Sequence, residues 1–130
     1  MMRDNEFLAT YPANVANAWA NFLSRINPCV ATTCTLDPLA NGGAGALATG
    51  NASLYLTNCT NSSGGLLCTP PSIYTTQNLS GSMQTPFVRT IQATAISTVD
   101  EKIVSTVKWT FHSTNYNYSV TITDHLTPWQ

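Results

Sequence analysis

Four cysteines are the residues with the clearest capacity for chemistry in this chain, and they form two pairs that are close in sequence: Cys29 with Cys34, and Cys59 with Cys68. Each pair brackets a turn-rich loop, which favours two local disulfides, each worth about 2–3 kcal/mol through loop entropy. Free thiols and a metal site are the alternatives. The Cys-x-x-Cys spacing of metal sites is missing, and neither histidine is near a cysteine. We therefore expect both local disulfides, formed in an oxidising compartment.

The two histidines and six carboxylates do not form a recognisable catalytic set. The expected strand pairing separates His112 from His125 by roughly 20 Å, too far for a shared metal ion. The alternation of the last predicted strand places Asp124 on its apolar face. We expect the Asp124 carboxylate to form a hydrogen bond with an amide or with Ser105, and the alternative is that it binds Ca²⁺. The Gly-x-Ser-x-Gly and phosphate-loop motifs are missing. We therefore expect no catalytic site, no metal and no cofactor, and interpret the protein as a non-enzyme.

Charge is sparse, with five Lys plus Arg against six Asp plus Glu and a net charge of −1. Without a basic patch, nucleic-acid binding and a polybasic membrane contact are not expected. The sequence shows no signal peptide and no apolar run near 20 residues, so we do not expect the chain as it stands to cross a membrane. An Asn- and Thr-rich, nearly neutral surface favours a secreted or assembled protein.

Three long segments near the C-terminus, at 87–97, 101–112 and 116–126, are rich in β-branched and aromatic residues that alternate with period two. This pattern predicts a three-stranded antiparallel sheet with one buried face. The apolar face would carry Ile103, Val107, Trp109, Phe111, Tyr116, Tyr118, Val120, Ile122 and Leu126. Pairing residue 97 with residue 101 would set Arg89 beside Trp109 as a cation–π pair.

An apolar stripe of Val15, Trp19, Phe22, Leu23 and Ile26 predicts a helix over residues 13–26. Neither this stripe nor the sheet face can be buried alone, so we expect them to cover each other in one α+β domain. The domain would span 1–130, with 1–26 helical, 27–86 variable loops with a short strand at 53–57, and 87–126 the sheet. The expected core is Trp19, Phe22, Ile26, Val107, Trp109, Val120 and Ile122.

Short runs at both ends of the chain resemble bacterial type IV pilin-like proteins, particularly minor pilins and pseudopilins. Residues 2–8, Met-Arg-Asp-Asn-Glu-Phe-Leu, with Trp19 beyond them, resemble the end of the long pilin helix in one group. Residues 85–91, Thr-Pro-Phe-Val-Arg-Thr-Ile, resemble the run that opens the pilin sheet. The strands at 103–109 and 118–122, with Leu-Thr-Pro-Trp at 126–129, are similar to the end of these proteins. Residues 27–80 match nothing in the family.

This resemblance implies a pilin-like fold, in which the N-terminal helix packs on a four-stranded antiparallel sheet with disulfide-bearing loops. It also implies a structural subunit of a type IV pilus (a fimbrium) or a type II secretion pseudopilus, located at the cell surface. Its partners would be other pilin subunits, and an apolar helix preceding Met1 would hold it in the membrane before assembly. The alternative is an extracellular adhesion or carbohydrate-binding module that acts through the 40–80 loops, with Tyr55 and Tyr74 as candidate contacts.

Overall fold

The computed structural model describes residues 15–43, 45–110 and 116–128. Within these ranges two short helices precede nine strands, and a 3₁₀ turn covers Ala40–Gly43. The helices are α1 (Val15–Ile26) and α2 (Pro28–Ala31). The strands are β1 (Cys34–Asp37), β2 (Ala46–Thr49), β3 (Ser53–Leu56), β4 (Cys59–Ser62), β5 (Gly65–Cys68), β6 (Tyr74–Thr75), β7 (Met83–Ser97), β8 (Asp100–Thr110) and β9 (Asn117–Leu126).

Strand β7 is the centre of a seven-stranded antiparallel sheet. One edge of β7 pairs with β8, which pairs in turn with β9. The other edge is shared: β3 pairs with the first half of β7, and β1 meets it at Ile91. β2 lies outside β1 and β6 lies outside β3, while β4 and β5 form a separate hairpin. The long strands follow the runs of β-branched and aromatic residues, which fit a pleated surface.

The predicted α+β class, with a pilin-like helix packed on a four-stranded sheet, is wrong. The described chain is mostly antiparallel β structure with two short helices. Six of its strands lie in residues 27–86, where loops with one short strand were expected. These strands are four residues long or shorter, and all of them except β3 were too short for period two to be recognised. The predicted strand at 53–57 corresponds to β3, and the three predicted C-terminal strands correspond to β7, β8 and β9.

The hydrophobic core lies at one end of the sheet, beneath α1. Trp19, Phe22 and Ile26 form the buried stripe of this helix, and Phe22 stacks on Trp19 with 5.3 Å between ring centroids. The Trp19 Nε1–H donates to the Thr98 carbonyl at 3.0 Å, which fixes the helix to the β7–β8 turn. The other members of the core are Cys29, Cys34, Leu36, Ile91, Ala93, Ile103 and Leu126.

Both predicted disulfides are confirmed, Cys29–Cys34 and Cys59–Cys68. The first joins α2 to β1 within the core, where Cys34 is also the register partner of Ile91 on β7. The second closes the β4–β5 hairpin, in which the two cysteines face each other. The two bridges therefore act locally, one at the junction of the helices with the sheet and one at a separate hairpin.

The predicted register of the β7–β8 pair is wrong by two residues. Arg89 lies opposite Val107, not Trp109. Ser97 pairs with Asp100 and not with residue 101, which accounts for one residue, and an irregularity between Ala95 and Ser97 adds the second. An inserted residue of this kind shifts every later pair along the ladder without leaving a signal in the alternation of the sequence.

Candidate functional site

The face of the sheet that carries the core is buried only in part. Val120 and Ile122 were predicted to be core residues, but they are 53% and 67% exposed, so this part of the prediction is wrong. The α1 helix has 12 residues and a length of about 18 Å, whereas the ten residues of β9 extend about 33 Å. The helix packs at the Ile103 and Leu126 end, so it is too short to cover the whole face.

Beyond the helix, an aromatic row crosses this face of the sheet. It consists of Tyr74, Phe87, Trp109 and Tyr118, one residue each from β6, β7, β8 and β9. Tyr74 and Trp109 each meet Phe87 edge to face, at 6.3 Å and 5.8 Å between centroids, and Trp109 stacks on Tyr118 at 5.8 Å. Such pairs add about 0.5–1.5 kcal/mol each beyond area burial. The row thus connects four strands where the helix does not reach.

A pocket of about 250 Å³ lies beside the aromatic row and is lined by Leu54, Tyr74, Phe87, Arg89 and Val107. We call it the Arg89 pocket, since the guanidinium is the only charged group among these residues. The remaining walls are aliphatic or aromatic, with the Tyr74 hydroxyl as a second polar group. The volume is slightly below that of drug-sized ligand sites, so it suits a small group.

The Arg89 guanidinium is only partly satisfied. Its Nη2–H donates to the Leu36 carbonyl at 2.8 Å, but its Nε–H is buried and has no hydrogen-bond partner. Among the described residues, no carboxylate forms a salt bridge with it. Burial lowers the pKa of Arg89, and the charge of Asp37 offsets part of this effect. Asp37 attracts this partly buried charge without forming a salt bridge with it, so a further anion at the guanidinium would be favourable.

The nearby carboxylate of Asp37 is occupied by other donors. Its Oδ1 accepts from Thr75 Oγ1 at 2.7 Å and from the Leu39 amide at 3.1 Å, and its Oδ2 accepts from Gln77 Nε2. Burial by itself raises the pKa of Asp37, but the hydrogen bonds from Gln77, Thr75, Leu39 and Thr76 outweigh it and hold the pKa below its usual value. This cluster ties β1 to β6 and has a structural role.

A second polar group lies at the opposite end of the face, near the core. Glu101 is only 3% exposed, and its Oε1 has no hydrogen-bond partner. Burial raises the pKa of Glu101, and the neighbouring charge of Asp100 raises it further. Asp100 Oδ1 contacts His125 Nδ1 at 2.8 Å in a solvent-exposed pair. Asp124 accepts the amide of His125 at 2.9 Å, as the sequence predicted for an edge residue.

The remaining residues that the sequence analysis predicted for the core or for binding lie in different parts of the structure. Val107 and Trp109 are half-buried, and Tyr55 and Tyr74 lie in β3 and β6, not in loops. Tyr55 pairs with Thr75 and Tyr74 with the next residue along β3, so the two tyrosines face opposite sides of the sheet. His112 and Phe111 lie outside the described residues. In the part of the chain that is described, no three metal-binding side chains come together.

The site that sequence reasoning missed is the meeting of Tyr74, Phe87 and Arg89. Parity had already placed Arg89 on the apolar face, which is an unusual position for a charge. The short strand β6, which brings Tyr74 to the same place, could not be positioned from a two-residue signal. A lone cation on an apolar strand face was therefore the one available indication of this pocket.

Comparison with known proteins identifies no relative: the chain matches no family model, and no curated protein or solved structure is significantly similar to it. Among the described helices, none is both long and apolar enough to span a membrane.

Proposed function

We propose that this protein is a non-catalytic structural subunit of an extracellular filament, such as a minor pilin of a type IV pilus or a pseudopilin of a type II secretion system. The class of filament is taken from the sequence resemblance at both ends of the chain. It does not depend on the four-stranded pilin-like fold, which this chain does not have. Its partners would be other subunits at the cell surface, and two disulfides are compatible with assembly outside the cytoplasm.

The observation that carries the proposal is the exposure of Val120 and Ile122 on a regular strand. Neighbouring positions on the opposite face, such as Thr121 and Thr123, are polar, so the apolar residues of the strand lie on one side, where Asp124 is the exception. An ordered apolar surface of this kind is typical of contacts between subunits. The net charge of −1 favours this use, since copies of a nearly neutral protein repel one another little.

A paired substitution tests this proposal in the source organism. Val120→Asp with Ile122→Asp places two charges on the apolar side of β9, and Thr123→Asp places one charge on its polar side as the control. We expect immunogold labelling to find the unchanged protein and the control in surface filaments, and the double variant only outside them. All three proteins should show the same thermal unfolding midpoint within a few degrees, since the substituted side chains are exposed. Unchanged labelling by the double variant, or an absence of the unchanged protein from filaments, would contradict the proposal.

A second candidate function is an extracellular adhesion or carbohydrate-binding module. The observation that favours it is Tyr74, which is 42% exposed beside the Arg89 pocket and could stack on a ligand ring. Binding of the purified protein to defined glycans on an array, lost on Tyr74→Ala, would support this function. A surface that binds no glycan would leave the filament subunit as the better explanation.

A further inference from the structure

We propose that the Arg89 pocket binds a small amphipathic carboxylate, in which an apolar and preferably aromatic body carries one anionic group that pairs with the guanidinium. This site is separate from the Val120 and Ile122 surface used above. The inference therefore stands whether or not the protein assembles into filaments.

The evidence for an anion is the set of unsatisfied hydrogen-bond donors on Arg89. Only one of its N–H groups, on Nη2, has an acceptor among the described residues, the Leu36 carbonyl, and none of the described carboxylates forms a salt bridge with it. Asp37, the nearest acidic influence, already accepts from Thr75, Leu39 and Gln77. Because a guanidinium presents several donors in one plane, it matches the two oxygens of a carboxylate well.

The case for an apolar body comes from the remaining walls of the pocket. Leu54, Phe87 and Val107 offer no hydrogen bonds from their side chains, so a bare inorganic anion would lose its hydration there without replacement. Tyr74 and Phe87 already pack edge to face, and a third ring can extend this arrangement. The volume of about 250 Å³ accommodates roughly one ring with a short side chain, which sets the size of the ligand.

This chemistry has two sources, a free organic acid or the C-terminal carboxylate of a peptide whose last residue is apolar. The probes are 3-phenylpropionate for the first and an N-acetylated tripeptide ending in Phe for the second. The matched neutral probes are 3-phenylpropionamide and the same peptide with an amidated C-terminus. Inorganic phosphate serves as an anion without an apolar body.

Binding is measured by the ¹H–¹⁵N shifts of residues 87, 89 and 107 and of the Trp109 indole during titration. We expect at least one carboxylate probe to bind at least 10-fold more tightly than its neutral counterpart, and phosphate to cause no comparable shifts. Whichever of the two carboxylates binds identifies the source. Equal affinity for acid and amide, or no shifts with either acid, would overturn the proposal.

Two variants place the binding at this pocket. Arg89→Lys keeps the charge but loses the planar set of donors, and we expect it to weaken carboxylate binding about 10-fold. Tyr74→Ala removes a partly exposed wall and should weaken it about 5-fold, whereas Tyr116→Ala, which is 68% exposed and outside the pocket, should change nothing. If Arg89→Lys fails to fold, the Tyr74→Ala variant and the comparison of each carboxylate probe with its neutral counterpart still test the proposal. Unchanged affinity on Tyr74→Ala would place any binding elsewhere and refute the assignment.

Discussion

The position of α1 over one end of the sheet predicts a large and local cost for Phe22→Ala. Phe22 is completely buried, stacks on Trp19 and belongs to the cluster that joins the helix to Ile91, Ala93 and Ile103. Truncating it removes a whole ring from a closed environment. The surrounding side chains come from both the helix and the sheet, so the space cannot collapse without moving one of these elements.

The size of the expected loss of stability follows from the burial of Phe22. A buried Phe→Ala change costs about 3–5 kcal/mol, and the upper part of this range applies because the stacking with Trp19 is lost as well. A domain of this size has a free energy of unfolding of about 6–20 kcal/mol. The variant should therefore fold, but lose a substantial share of its stability. Trp109 is only half-buried, so Trp109→Ala should cost less, about 1–2.5 kcal/mol.

Urea unfolding followed by far-UV circular dichroism, with both disulfides intact, measures these differences. With an m-value of about 1–3 kcal/mol/M, a loss near 4 kcal/mol lowers the midpoint by roughly 1.3–4 M. Val99→Ala is the control, since Val99 is 53% exposed in the β7–β8 turn and should change stability by under about 0.5 kcal/mol. If Phe22→Ala resembled this control, or cost less than Trp109→Ala, the helix would not be packed on the sheet as described.

Two further predictions concern the buried carboxylates, and both are measured by thermal unfolding from pH 3 to pH 8. The pKa of Glu101 is raised in the folded protein, so its contribution to the stability of the fold is most favourable below its unfolded-state pKa near 4.3 and is lost as pH rises through the folded-state pKa. Glu101→Gln should therefore be more stable than the unchanged protein at pH 7 and lose this advantage towards pH 4. An advantage that did not vary with pH would contradict this cause. The pKa of Asp37 is lowered in the folded protein, so its contribution to stability is present above about pH 4 and is lost as pH falls through the folded-state pKa. Asp37→Asn should therefore lower the free energy of unfolding by about 1–3 kcal/mol at pH 7 and by less at pH 3. An equal cost at both pH values would mean that the carboxylate charge is irrelevant.

The helix and the long strands could be predicted because each has a periodic signal of ten residues or more. The stripe of Trp19, Phe22 and Ile26 identified α1, and alternation identified β7, β8 and β9. Strands β1 to β6 have two to four residues each, and half of them, β1, β3 and β6, pair with strands that are distant in the chain. Apart from β3, these strands carry too little local pattern to be predicted, because each is defined by the strand with which it pairs.

Two features of the site could not be predicted from the sequence, the exposure of Val120 and Ile122 and the neighbours of Arg89, and each has a physical reason. Alternation shows that Val120 and Ile122 share a face with Leu126, but not how far along the strand the helix reaches. Alternation likewise placed Arg89 on this face, but the residue opposite it depended on the pairing at the β7–β8 turn and on an irregularity near Ala95. Which side chains share a face is a local property. What covers that face and which residues meet across it are properties of the whole fold.

The division of one sheet face into a covered and an uncovered end also separates stability from recognition. At the covered end, α1 and the Cys29–Cys34 bridge hold β1 and β7 in place. At the uncovered end, the aromatic row and the Arg89 pocket share the long strands β7 and β8 with the core, so these strands support the site although its residues are not members of the core cluster. Substitutions at Phe22 should therefore lower the unfolding midpoint while leaving affinity for a carboxylate unchanged in the folded protein. Substitutions at Tyr74 should do the reverse, and coupled changes at both sites would show that the two ends of the face do not act independently.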